Sequence, residues 1–276
     1  MSLPDKSNPV TVISVIIPFH QNVDLLKSSV ASVCGQIMIN RLITFEIVIG
    51  NDSNYSADEL AGFLAESVTP IHKLIVVDNK YMRGPGGNRN SALEASSGSY
   101  IAFLDADDIW EPKKIFSQLD YVCKGFNFIC TGYSYIEDST KILPPLYLQG
   151  YKSIFYSLRP IGTSTVLVSK SLLPNSSPFS NIWFCQDLVL WSTLLKNSNC
   201  RYGAVNEVLC KYSRFEGRTS RASVYRLLQS FYCAAIISGL NSFEALVATC
   251  LYLVRGVYNK FVRPLCAKSF GFHSSS

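Results

Sequence analysis

Short apolar runs rich in β-branched residues recur along the first half of the chain, separated by stretches of helical periodicity. Val12-Ile13-Ser14-Val15-Ile16-Ile17 is the first run and ends at Pro18. Phe45 to Ile49 is the second, stopped by Gly50-Asn51-Asp52-Ser53; Leu74 to Val77 is the third, stopped by Asp78-Asn79. Tyr100 to Leu104 is the fourth. Leu26, Val30 and Val33 recur at i, i+4 and i+7, one face of a helix, and a small-residue helix is predicted over about 87–97. Strands alternating with helices predict a parallel sheet covered on both faces, and unbroken apolar runs suit strands buried on both sides. A further helix starts near Glu111-Pro112, with Pro in its first turn and Ile115, Leu119 and Val122 as its inner stripe. Extended runs are predicted over 126–135 and 163–169, then a helix over Gln186 to Lys196 with Leu188, Trp191 and Leu195 on one face. The expected class is α/β with a mostly parallel central sheet and flanking helices. Its ligand site belongs beyond the carboxyl ends of the strands, where the acidic segments lie.

Composition narrows the class. A chain of 276 residues with 48% hydrophobic and 16% charged residues has material for a full core, which excludes disorder. Nine cysteines without a C-x-x-C pair exclude zinc fingers and thioredoxin-like motifs, and most lie in apolar runs as buried hydrophobes do. They point to a reducing compartment, and the N-terminal segment lacks the basic start of a signal peptide. A cytoplasmic protein is expected. Charge is unevenly placed: residues 1–200 hold 15 Lys/Arg against 17 Asp/Glu (−2), and residues 201–276 hold 10 against 3 (+7), together the net +5.

The candidate chemistry begins with Phe103-Leu104-Asp105-Ala106-Asp107-Asp108. Three carboxylates within four residues, directly after a buried strand, repel one another unless a cation sits among them. A hard divalent cation completed by substrate phosphates would suit; an acidic loop capping the next helix is the alternative. Arg83-Gly84-Pro85-Gly86-Gly87-Asn88-Arg89-Asn90 offers a backbone that a ligand can approach closely and guanidiniums suited to phosphate. It is no dinucleotide fingerprint, since Arg stands at 89 where G-x-G-x-x-G needs Gly, and there is no Walker A sequence.

Taken in order, Ile16-Ile17-Pro18-Phe19-His20, Gly50-Asn51-Asp52-Ser53, the 83–90 loop and the D-x-D-D cluster resemble a family 2 glycosyltransferase of the GT-A fold, over roughly residues 12–220. The resemblance implies an Asp at the nucleotide base (Asp52), donor contacts from Pro18, Arg83, Arg89 and Asn90, and a D-x-D motif. In that motif Asp105 meets the ribose, and Asp107 with Asp108 next in line holds Mn²⁺ or Mg²⁺. It also implies a general base in a pair that opens a later helix, matched by Asp187 in Phe184-Cys185-Gln186-Asp187, where Gln186 replaces the commoner Glu. Gly162-Thr163-Ser164-Thr165 resembles the acceptor-side segment. Arg214, Arg218 and Arg221 resemble a loop that closes over the diphosphate, although this chain lacks the His that many members carry there.

The implied reaction is inverting transfer of a hexosyl or N-acetylhexosaminyl group from a nucleotide-diphosphate sugar, UDP-sugar first, to a glycan or lipid-linked acceptor in surface-polysaccharide synthesis. A sugar nucleotidyltransferase and a non-catalytic sugar-nucleotide-binding subunit stay open as alternatives. Nucleic acid is not an expected partner, because the basic residues are not interleaved with an aromatic platform. The chain divides into a donor-binding half (1–110), an acceptor and base half (111–221) and a C-terminal segment (222–276). That segment carries uncharged runs over 227–243 and 245–254, flanked by Arg221, Arg226, Arg255, Lys260, Arg263 and Lys268. Both runs are shorter than the roughly 20 residues that span a bilayer. They predict helices that lie on an anionic membrane surface apart from the active site, or a hairpin packed on the catalytic domain or on a second copy of the chain.

Overall fold

The computed structural model describes residues 11–37, 43–174, 177–213 and 223–257. Its first half follows the predicted alternation: β1 (Thr11–Phe19), α1 (Val23–Cys34), β2 (Ile43–Asn51), α2 (Ala57–Leu64), β3 (Lys73–Asp78), α3 (Pro85–Ala95) and β4 (Tyr100–Phe103). These strands pair in parallel in the order β3-β2-β1-β4. Helix α2 has no counterpart in the periodicity reading. Its start is nevertheless a capping box, Ser56 and Glu59 satisfying each other's backbone N–H.

The second half continues with β5 (Ile109–Trp110), α4 (Lys114–Cys123), β6 (Phe128–Tyr135), β7 (Lys141–Ile142), α5 (Ser153–Tyr156), β8 (Leu167–Ser169), α6 (Gln186–Lys196) and β9 (Tyr202–Tyr212). Here the sheet becomes mixed. β8 runs antiparallel to both β4 and β6, β9 runs parallel to β6, and β5 closes the edge antiparallel to β9. The extended run expected over 163–169 is strand only from Leu167; Thr163–Thr165 form a single 3₁₀ turn whose side chains serve the site.

Alternation along the strands builds two cores. Val15, Ile17, Ile47 and Ile49 face α1, α2 and α4, whereas Ile16, Val48 and Phe103 face α3 and α6. The second core also takes in the C-terminal helices α7 (Val224–Ile237) and α8 (Ser242–Val257). Phe231, Ala234, Ala235, Ala245 and Ala248 pack with Leu190, Trp191 and Leu194 of α6. The hairpin is therefore part of the catalytic fold and not a detached appendage. No described helix is long and apolar enough to cross a membrane.

Candidate active site

Where β1, β2 and β4 end, the backbone must turn beside helix α3, and the cleft lies in that space. Its volume is about 540 Å³, and Pro18, Asp52, Asn88, Arg89, Asp105, Asp107, Asp108, Thr163, Trp183 and Asp187 are among the residues lining it. Two glycines allow the close approach. Gly84, at φ 126°, delivers the chain to Pro85 at the first position of α3. Gly50 lies so near that helix that a Cβ would stand 2.4 Å from the Asn88 carbonyl oxygen.

On the donor side, Asp52 is fixed by Arg83 Nε, which donates to Oδ1 at 3.1 Å, and by the Gly84 N–H, which donates to Oδ2 at 3.0 Å. Asn51 shapes the same turn, donating from Nδ2 to Asp78 Oδ1 at 2.8 Å and to the Tyr55 carbonyl at 2.7 Å. Arg89 is buried to 5% exposure, donates from Nη2 to Asp105 Oδ1 at 2.5 Å and lies 5.3 Å over the Phe179 ring. Asn90 does not line the cleft: its amide exchanges two 2.9 Å bonds with the main chain of Phe179. That bond pair ties the segment leading to α6 against α3.

The three carboxylates of the D-x-D-D cluster have different surroundings. Asp108 is 2% exposed, takes the Ser164 hydroxyl at 2.5 Å and the Ser213 N–H at 3.1 Å, and burial next to Asp105 and Asp107 pushes its pKa far up. It acts as a tie between loops. Asp107 lines the cleft, and burial with Asp105 beside it raises its pKa to about 6. A carboxylate so placed suits a cation. Among the described residues no group of three His, Cys, Asp or Glu forms a ready-made metal cage.

On the far side, Asp187 sits in the first turn of α6, after Cys185 in a left-handed conformation (φ 62°). Thr163 Oγ1 donates to its Oδ2 at 3.1 Å and the Leu188 N–H to its Oδ1 at 2.9 Å. Burial raises its pKa, and the Arg89 charge and these two hydrogen bonds oppose the rise. Ser164 couples both sides. It accepts from the Asp105 N–H at 3.0 Å, donates to Asp108, and its own N–H donates to the Tyr212 hydroxyl at 3.0 Å. Sequence reading singled out 162–165 by resemblance; only the fold shows Thr163 holding Asp187 and Ser164 the acidic loop. Trp183, 58% exposed, also lines the cleft, and no pattern along the chain singles it out. Arg214, Arg218 and Arg221 lie outside the described residues.

A Rossmann-like half joined to a mixed half, with an acidic turn after β4 and a half-buried aspartate opening α6, defines a glycosyltransferase of the GT-A fold. The sequence matches the family model "Glycosyl transferase family 2" over residues 14–174. The chain belongs to that family. It is 29% identical over 218 residues to the UDP-Glc:alpha-D-GlcNAc-diphosphoundecaprenol beta-1,3-glucosyltransferase WfgD of Escherichia coli, covering 77% of this chain and 79% of the relative. A second Escherichia coli UDP-Glc:alpha-D-GlcNAc-diphosphoundecaprenol beta-1,3-glucosyltransferase, WfaP, is 26% identical over 252 residues, 89% of this chain and 94% of the relative. Among solved structures, S. aureus TarS 1-349 in complex with UDP-GlcNAc superposes with a TM-score of 0.65 at 17% identity, covering 95% of this chain and 76% of TarS. Mannosyltransferase PcManGT from Pyrobaculum calidifontis, in complex with GDP-Man and Mn²⁺, gives 0.59 at 14%, covering 98% and 78%.

Proposed function

We propose that this glycosyltransferase moves a hexose or N-acetylhexosamine, with inversion, from a UDP-sugar to a hydroxyl of a lipid-linked or glycan acceptor in surface-polysaccharide assembly. The observation that carries the reading is one cleft lined by two half-buried carboxylates on opposite walls, Asp107 after β4 and Asp187, hydrogen-bonded to Thr163 and the Leu188 N–H, at the start of α6. The donor specificity and the lipid-linked acceptor are supported by the activities of WfgD and WfaP. An acceptor held in a bilayer makes the enzyme a peripheral protein of the cytoplasmic membrane face. Self-association through the C-terminal helices is the other use those helices offer.

Asp52, set by Arg83 and Gly84, meets the base; Pro18 forms the floor beneath it; and Asp105, held by Arg89, meets the ribose. A divalent cation, Mn²⁺ or Mg²⁺, would be held by Asp107 of the D-x-D motif and would neutralise the leaving diphosphate. The deprotonated Asp187 takes the proton of the acceptor hydroxyl as that oxygen bonds to the anomeric carbon and the bond to the diphosphate oxygen breaks. Thr163 and the Leu188 N–H leave each Asp187 oxygen with a free lone pair for that proton. Arg214 and Arg218 belong to the loop assigned to the diphosphate.

The test is the released nucleotide. Incubation with UDP-sugars and acceptor, followed by chromatography, is expected to yield UDP. Release of pyrophosphate would assign a nucleotidyltransferase instead, and donor binding without turnover a binding subunit. Asp187→Asn is expected to lower kcat by ~10²–10⁴ with donor affinity retained; wild-type turnover in that variant would place the base elsewhere.

A further inference from the structure

The C-terminal hairpin has two uses of its surface that the core does not explain. On α8, Ala245, Ala248 and Tyr252 turn inward, while Phe243, Leu246, Val247, Leu251 and Val254 stand out in solvent at 37–75% exposure. Their spacing of i, i+3, i+4, i+8 and i+11 makes this one helical face, apolar on the outside. Contiguous apolar surface of this kind on a soluble domain marks a contact site. The single acidic residue of α8, Glu244, is in the first turn and is paired with Lys152 Nζ at 2.7 Å. The last turn holds a cation instead. Arg255 Nη1 donates to the Ser157 carbonyl at 2.7 Å, and its guanidinium lies 5.1 Å over the Tyr252 ring. Among the described residues it has no carboxylate partner.

Arg255 stacks on Tyr252, which packs together with Cys185 and Leu188 of the segment bearing Asp187 against one hydrophobic core, and Cys185 lines the cleft. The loop Arg255 grips continues from Ser157 through Leu158, 78% exposed, to Thr163, which holds Asp187. A cation between exposed apolar side chains, with acidic groups kept away, complements a diphosphate carried on a hydrocarbon chain.

We propose that the last turn of α8 and the Ser157–Leu158 loop dock a lipid-diphosphate-linked sugar, Arg255 taking the diphosphate and Leu158, Leu251 and Val254 the first units of the lipid. The bilayer then lies against the outer face of α8, and the sugar is presented to Asp187 from the side opposite the donor. The inference rests on the lipid-linked acceptor proposed above.

The full chain is floated with phosphatidylcholine vesicles doped with undecaprenyl diphosphate or with uncharged undecaprenol. Wild type is expected to bind the diphosphate vesicles preferentially. Arg255→Gln is expected to lose about tenfold or more of that preference, in line with loss of a charge-assisted bond, with its melting temperature and UDP binding unchanged. The pair Leu158→Ser and Val254→Ser, at exposed positions, is expected to weaken binding to both vesicle types. Wild-type binding by Arg255→Gln overturns the proposal. So does a dimer in sedimentation velocity that Val254→Ser dissociates, which assigns the face to a second copy. If wild type ignores undecaprenyl diphosphate yet glycosylates a soluble oligosaccharide, the lipid-linked acceptor itself is wrong, a failure distinct from that of Arg255.

Discussion

At the scale of single residues, the cleft works by holding charges where water would otherwise relax them. Partial burial of Asp187 favours its protonated form, and the base role proposed for it requires the ionised one. Activity is therefore expected to fall as pH drops through a value above the ordinary aspartate range, visible as the acid limb of a kcat/KM profile. Charged and titratable groups around it are Arg89 on α3, Asp105 after β4, Cys185 before it in the chain and Tyr252 on α8. Arg89 is the cation that opposes the effect of burial, so Arg89→Gln is expected to move the acid limb to higher pH. An unmoved limb would show that Arg89 serves the donor alone. Because a neutral amide removes a half-buried charge, Asp187→Asn is also expected to melt no lower than wild type, stability and activity being opposed at this position.

At the scale of elements, close approach and burial decide what each segment tolerates. Gly50 lets β2 pass against α3, and Gly50→Ala would drive a Cβ into the Asn88 carbonyl and side chain. The expected cost is about 1–3 kcal/mol in denaturant unfolding, with donor affinity falling because the Asn88–Arg89 turn shifts. Helix α4 carries a different anomaly. Lys114, on its inner face, is fully buried, donates to Gln118 Oε1 at 2.9 Å and lies 3.9 Å over the Trp110 ring. Burial lowers its pKa to about 7, below the unfolded value of 10.5. From about pH 7 upward the unfolded chain then holds a proton that the native state has released, so stability rises with pH across that window. Lys114→Met is expected to remove this rise and to stabilise the protein most below pH 7; parallel stability–pH curves for the two proteins would refute the assignment. The inner stripe read from periodicity, Ile115, Leu119 and Val122, is correct as far as it goes. Lys114 and Gln118 join it because Gln118 Nε2 also satisfies the carbonyls of Ile129 and Thr165, a need no local pattern reveals.

For the whole molecule, the consequence of the shared core is that the C-terminal hairpin cannot be removed as a module. Ending the chain near residue 222 would expose Leu190, Trp191 and Leu194 on α6, the helix that carries Asp187. Such a chain is expected to be insoluble or to melt far lower than the full protein, measured by calorimetry, and to lose donor turnover together with vesicle binding. A soluble, active truncated enzyme would restore the reading of the tail as a separate membrane anchor. Any contribution of the +7 balance of residues 201–276 to the membrane contact proposed above is expected to fade as salt shortens the Debye length below about 10 Å.

The amino-acid sequence alone determined the elements that depend on local pattern and the motifs that depend on order. The four parallel strands, α1, α3, α4 and α6 follow from runs of apolar residues and helical spacing, because burial on two faces or one leaves that imprint directly on the chain. The sequence motifs also pointed to Asp52, Arg89, Asp105, Asp107 and Asp187, residues that the fold brings together in one cleft. The tertiary structure alone decided how the carboxylates divide their work. Both Asp107 and Asp108 line the cleft, but Asp108 alone is held by Ser164 and the Ser213 N–H, partners 56 and 105 residues away. It likewise decided that Asn90 ties down Phe179 instead of lining the cleft, and that the apolar tail is half core and half open surface. Hydrogen bonds and packing between distant segments have no periodicity along the chain, so they exist as information only once the sheet has brought those segments together.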